Sequence, residues 1–174
     1  MTSDSQTLRE LFVSGITNLH AVEKQALAIM TPQIARIENY PEVAERLRLH
    51  VDETNAQIAR LDEILAAFDT GSSSIKDMGL SLSGSMAAVA HTVAGDEILK
   101  NSFANYAFEH FEIAAYKSVI ILANDGGFGG SIPFLQESLR EEQSMAQWIE
   151  EALPNITRRY ASLYADGGSA TAKV

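Results

Sequence analysis

Apolar side chains recur every three or four residues through four long stretches of this chain, and no stretch alternates in the manner of a strand. That period places the apolar residues on one stripe of a helix, and such stripes must be buried against each other. The first stretch runs from about Thr7 to Asn39, with Leu8, Leu11, Leu19, Ala26, Leu27, Met30, Ile34 and Ile37 at these spacings. Pro32 falls inside it and is expected to kink it. Pro41 then opens a second helix that reaches Phe68, with Leu47, Val51, Ile58, Leu61, Leu65 and Phe68 facing inward. The run Asp69-Thr-Gly-Ser-Ser-Ser is a stop. Residues 75–93 read as a weaker helix within a long crossover. A third helix, from about Gly95 to Asn124, is apolar on most faces and is expected to be the most buried. The fourth starts near Pro133 and runs to about Leu153 along Leu135, Leu139, Ala146, Ile149 and Leu153. A short helix, Pro154 to Tyr164, is expected to follow it.

Short loops within each helix pair and a long connection between the pairs describe an all-α four-helix bundle of two antiparallel hairpins joined by a crossover. With 174 residues the chain is long enough for one such domain, expected over 5–165, with 166–174 as a disordered tail. Within this frame the placement of certain acids is informative. Glu142 occupies the third place of the seam 135, 139, 142, 146, 149, 153. Glu23 lies in line with Ile16, Leu19 and Met30, and Glu109, Glu112 and Tyr116 share one strip of the third helix. On the second helix, His50, Glu53 and Gln57 share a strip at the edge of the apolar stripe.

An ionised carboxylate in an apolar interior must be neutralised, paired or metal-bound. Interior lysines or arginines in matching number are not apparent, so divalent cations are the expected solution, and hard oxygen ligands suit iron or manganese. For each residue a blander reading stands beside this one. Glu141–Glu142 can be a solvated acidic face, Glu53 a surface residue near Arg60 or Asp52, and His50 a hydrogen-bonded core histidine. Gln57 reads as a hydrogen-bonding group behind the ligands, Tyr116 as a partner for a ligating carboxylate, and His20, one turn before Glu23, as a further supporting group. His110 points a quarter-turn away from Glu109, and nothing involves His91.

Composition excludes several alternatives. There is no cysteine, hence no disulfide, zinc–thiolate site, iron–sulfur cluster or thiol nucleophile in this chain. The net charge of −10 disfavours nucleic acid. The N-terminus lacks the pattern of a secretory signal, and the most apolar stretch is too short to span a bilayer. A cytoplasmic location is expected, with neither membrane nor nucleic acid as partner.

The segments Ala21-Val-Glu-Lys-Gln, His50-Val-Asp-Glu-Thr-Asn-Ala-Gln-Ile-Ala-Arg-Leu, Glu109-His-Phe-Glu-Ile-Ala-Ala-Tyr and Leu139-Arg-Glu-Glu-Gln together resemble the YciE/YciF family of ferritin-like proteins, a domain of unknown function. The resemblance runs from about Leu8 to Leu153. It implies a ferritin-like bundle, a homodimer and a link to stress responses, with Glu23, Glu53, Glu109, Glu112 and Glu142 as the positions that carry metal. The Glu109-x-x-Glu112 pair is also similar to the third helix of rubrerythrins, around a di-iron centre. Di-iron carboxylate bundles usually carry Glu-x-x-His on the second and fourth helices. Here Ala56 and Met145 stand where those histidines would be, so the site is short of a ligand. The expected function is a metal-binding stress protein holding two divalent ions, iron ahead of manganese, without an organic cofactor. Peroxide or dioxygen is the expected oxidant, and the electron donor is external. The alternative is a non-catalytic dimeric scaffold with a structural or vestigial metal site.

Overall fold

A computed structural model describes residues 3–68 and 96–166, and these are almost entirely helical, with no strand among the described residues. Helix α1 spans Ser3–Ile34, α2 Pro41–Ala67, α3 Glu97–Gly126 and α4 Ile132–Ala165, and a 3-10 turn at Gly129–Ser131 precedes α4. The expected crossover helix at 75–93 lies outside the described residues, as does the tail beyond Asp166. No described helix is long and apolar enough to cross a membrane.

The helix ends follow local chemistry. Pro41 occupies the first turn of α2, where its missing N–H is no loss, and the Tyr40 carbonyl accepts from the N–H groups of Val43 and Ala44. Helix α3 ends at Gly127, whose φ of 74° is left-handed, and the Phe128 N–H returns to the Ala123 carbonyl at 2.8 Å. A side chain at position 127 would strain that turn.

The two internal prolines do not break their helices. Helix α1 passes through Pro32 and ends at Ile34, short of the expected Asn39, and α4 passes through Pro154. The separate C-terminal helix is therefore the continuation of α4. Pro154 is exposed, so water can satisfy the carbonyl it frees, while Ile156, Tyr160 and Leu163 beyond it still pack on the core.

Long-range contacts set the topology. Gln33 meets Asn105 and Arg36 meets Glu97, whereas Gly15 lies against Val119, so α1 and α3 run antiparallel. Gln57 meets Glu142 and Arg60 meets Glu137, so α2 and α4 are antiparallel as well. Two hairpins arranged in this way give an up-down-down-up order that only a long connection can close. This is the ferritin-like bundle.

The buried stripe of α1 is Phe12, Ile16, Leu19, Val22, Ala26 and Met30. Leu11, expected inside, is 51% exposed because Phe12 takes the core position beside it. Helix α3 is not buried on all sides. Phe103, Phe111 and Ile121 are 53%, 43% and 58% exposed, since α1 and α4 cover only part of its circumference.

The core falls into two apolar clusters. One gathers Met30, Tyr40, Leu47, Ile98, Phe108, Met145 and Ile149, and the other Phe12, Ile16, Leu61, Ile64, Tyr116 and Leu135. On α2, α3 and α4 the acidic positions of interest lie between the two, and on α1 Glu23 follows Val22 where the clusters meet, so a polar layer interrupts the core at mid-bundle.

Helices α1 and α3 pack tightly at Gly15, where a Cβ would stand 2.8 Å from Val119 Cγ2. Gly15→Val is expected to force this crossing apart and destabilise the protein by about 1–3 kcal/mol, read as a lower urea midpoint.

Candidate metal centre

The polar layer draws on all four helices. Steps of three and four along α2 put His50, Glu53 or Thr54, and Gln57 on one strip, and the Thr54 hydroxyl is satisfied locally by the His50 carbonyl at 2.8 Å. Helix α3 supplies Glu109, Glu112 and Tyr116, α4 supplies Glu142, and α1 supplies Glu23. His50, Gln57, Glu23, Glu109, Glu112 and Glu142 are all buried, the two carboxylates Glu23 and Glu142 completely so.

His50 lies at the middle. Its Nδ1 is 2.8 Å from Glu53 Oε2, and its Nε2 is 3.2 Å from Glu109 Oε2 and 3.5 Å from Glu142 Oε2. His50, Glu109 and Glu142 thus offer three ligand atoms within 4.8 Å of one another. The Gln57 amide donates to Glu142 Oε1 in a short hydrogen bond and to Glu141 Oε2 at 3.0 Å. The Tyr116 hydroxyl donates to Glu23 Oε1 at 2.6 Å.

Two arginines, absent from the expected interior, close the rim. Arg46 reaches Glu53 at 3.0 Å, and Arg60 holds Glu141 through two contacts of 2.7 Å while reaching the Ser138 hydroxyl at 3.0 Å. Arg46 lies two turns before Glu53 and Arg60 one turn after Gln57, a register visible in the sequence. Their long side chains carry the guanidinium groups in from the edge of α2, which periodicity alone does not show.

Some candidates stand elsewhere than expected. Glu53 is partly exposed and engages the back of the imidazole and Arg46, so it orients His50. The partner of His20 is the exposed Asp62, at 3.1 Å across α1 and α2. It does not support Glu23. Glu142, whose alternative was a solvated face, is fully enclosed, and its neighbour Glu141 takes the rim position.

Electrostatics follow from burial. Desolvation, with Glu142 nearby, pushes Glu23 well above the ordinary carboxylate range, although the Tyr116 hydrogen bond works against it. Desolvation followed by the charges of Glu142, Glu23 and Glu109 raises Glu112 likewise. Glu142 is pushed from 4.5 to about 7, chiefly by burial. For His50, burial alone would lower the value, but hydrogen bonds to Glu109, Glu142 and Glu53 prevail and raise it well above 6.5.

A pH dependence of stability follows for the metal-free protein. A group whose pKa is raised on folding favours the folded state below its unfolded pKa and loses that contribution as pH rises through the folded one. Glu23, Glu112, Glu142 and His50 all act in this direction. The melting temperature of chelator-treated protein is therefore expected to fall from about pH 5 to about pH 8, and the fall to shrink when metal is added. Scanning calorimetry across that range checks it.

Among the described residues, Glu23 Oε2, Gln57 Oε1 and both oxygens of Glu112 are buried without a hydrogen-bond partner, and Glu109 Oε2 and Glu142 Oε2 face only His50 Nε2, at 3.2 and 3.5 Å. Poorly satisfied buried acceptors of this number are rare in a packed interior. Five of these six atoms are carboxylate oxygens converging on one layer, and this donor set suits a hard or borderline divalent cation.

Comparison with known proteins agrees with the fold. Protein YciF of Escherichia coli K12 is 24% identical over 163 residues, which cover 88% of this chain and 95% of that protein. A crystal structure of a protein from Xanthomonas campestris pv. campestris matches with a TM-score of 0.76 at 28% identity, covering 91% of this chain and 99% of that one. The crystal structure of the E. coli stress protein YciF matches with a TM-score of 0.68 at 19% identity, over 85% and 95% of the two chains. The model of the domain of unknown function DUF892 matches residues 7–162. The chain therefore belongs to the DUF892 family, a domain of unknown function.

Proposed function

We propose that this chain is a metal-binding stress-response protein that holds two divalent cations, iron ahead of manganese, in its buried acidic layer. The observation that carries the reading is the set of poorly satisfied carboxylate oxygens on Glu23, Glu109, Glu112 and Glu142. Four ionised carboxylates neutralise two divalent ions, whereas without cations their mutual repulsion must be relieved by protons. His50 Nε2, Glu109, Glu142, Glu23 and Glu112 would hold the ions. Glu53 orients His50, Gln57 orients Glu142, and Tyr116 orients Glu23, the kind of support that fixes ligand geometry. The single imidazole favours iron over manganese, and either metal accepts a largely carboxylate set.

Two adjacent ions supply or accept two electrons together, which suits peroxide or dioxygen as oxidant. The two apolar clusters exclude water from the layer on both sides, and the Arg46–Glu53 and Arg60–Glu141 pairs bound its rim. With no cysteine in the chain, the reductant must be external. A homodimer in a cytoplasmic setting completes this reading.

A second reading has an observation of its own. A protonated His50 facing Glu109 and Glu142 partly neutralises the layer without metal, as a non-catalytic scaffold would require. Elemental analysis of protein purified without chelator, followed by peroxide consumption on the same sample, separates the two. Bound iron or manganese with peroxide turnover is expected. Metal-free protein that leaves peroxide untouched would favour the scaffold.

A further inference from the structure

The geometry points to two inequivalent ion positions, a nitrogen-and-oxygen subsite built on His50, Glu109 and Glu142 and an all-oxygen subsite built on Glu23 and Glu112, with Glu142 shared between them. This inference rests on the metal-binding reading above and concerns how that centre divides its ions.

The asymmetry begins with histidine placement. Among the described residues, His50 is the one imidazole that faces the buried carboxylates. His20 pairs with Asp62, and His110 is exposed with its ring edge-on to Tyr106. The positions that could supply a second imidazole by the usual spacing are Ala56, which is exposed, and Met145, which is buried in an apolar cluster.

His50 is also prepared as a ligand. Glu53, itself held by Arg46, lies 2.8 Å from Nδ1 and can accept that N–H, which leaves Nε2, 3.2 Å from Glu109 and 3.5 Å from Glu142, as the nitrogen that ligates once a cation displaces its proton. A cation taken up there meets one nitrogen and two carboxylates.

The other side has no nitrogen donor. Both Glu112 oxygens and Glu23 Oε2 are buried and without partners, while Glu23 Oε1 is fixed by the Tyr116 hydroxyl. The charges of Glu142 and Glu23 both act on Glu112, and Glu142 Oε2 also lies 3.5 Å from His50 Nε2, so Glu142 is the carboxylate common to the two sets. Imidazole-bearing sites suit zinc and iron, and sites of carboxylates alone suit manganese and magnesium. The His50 subsite is therefore matched to a borderline transition ion and the Glu112 subsite to a harder one.

Pulsed electron paramagnetic resonance on wild-type protein loaded with manganese(II), and on protein loaded with equal manganese(II) and zinc(II), tests this without reference to activity. Manganese alone should fill both positions and show nitrogen hyperfine coupling from His50. In the mixed sample zinc should displace the nitrogen-coupled manganese, leaving about one manganese per chain without that coupling. His50→Ala should bind about half the wild-type manganese, also without nitrogen coupling, and Glu112→Gln should keep the coupled ion and lose the other. Manganese that retains nitrogen coupling beside zinc overturns the inference, as does a His50→Ala protein of native helicity that keeps both ions or loses both. Failure of wild-type protein to bind any of these ions overturns the metal-binding reading as well.

Discussion

Glu142→Ala is expected to lower metal affinity by about 100-fold or more while leaving the helical content of the protein intact. Glu142 is fully buried on α4, approaches His50 Nε2 with one oxygen and receives the Gln57 amide on the other. Its charge also acts on Glu112 and Glu23, so the proposed pair of cations would draw on it. The fold should survive for a specific reason. Truncation opens a small cavity, but it also removes a charge that repels Glu23, Glu109 and Glu112, and Gln57 keeps Glu141 as an acceptor. These effects oppose each other, so the stability of the metal-free protein should change little. The separation appears on adding metal. With cation at about 100 times its dissociation constant, wild-type stability should rise by about 2.7 kcal/mol for each site filled, or about 5–11 °C in melting temperature per site, and the variant should show almost none of this rise. Elemental analysis and calorimetry on the same two proteins provide the comparison.

Glu112→Leu is expected to act in the opposite sense on the metal-free protein, stabilising it by about 1–3 kcal/mol. Neither Glu112 oxygen has a hydrogen-bond partner among the described residues, and the residue is 1% exposed. Removing it therefore breaks no described hydrogen bond, and leucine nearly fills the same volume. Burial and the neighbouring acids make Glu112 hold its proton well beyond the ordinary carboxylate range. The gain should consequently be larger near pH 8, where ionisation must be opposed, than near pH 5. Added metal should reverse the order of the two proteins, because the variant has lost a ligand from the all-oxygen side. A residue kept at a cost to the empty fold and recovered only with cation is the signature of a binding site rather than of packing. A metal-free Glu112→Leu protein less stable than the parent at both pH values would mean that Glu112 is a structural element of the core.

Much of this arrangement was legible in the spacing of residues. Four helices in two hairpins followed from apolar periodicity and from Pro41 and the Gly126–Gly130 run. Glu23, Glu109, Glu112 and Glu142 stood out because they occupy positions where the helical stripe calls for leucine, and the structure places all four inside. What stayed hidden depends on how side chains reach rather than on where they start. Glu53 lies at the edge of its stripe, and the angular position alone does not decide between the centre and the back of His50. Arg46 and Arg60 enter the rim at the ends of long, flexible stems. His20 lies on the buried side of α1 yet turns toward α2 and Asp62, a choice made by the neighbouring helix. The uninterrupted α4 is a tertiary effect. Pro154 weakens the local ladder, and packing of Ile156 and Tyr160 on the core outweighs it.

The most direct measurement is an anaerobic calorimetric titration of iron(II), and separately manganese(II), into chelator-treated protein near pH 7, repeated in buffers of different ionisation enthalpy. Saturable uptake of about two ions per chain is expected, with proton release, because Glu23, Glu112, Glu142 and His50 must give up protons to ligate. Absence of saturable binding by either ion would show that protons alone hold the buried carboxylates together, and binding without proton release would place the ions outside this layer.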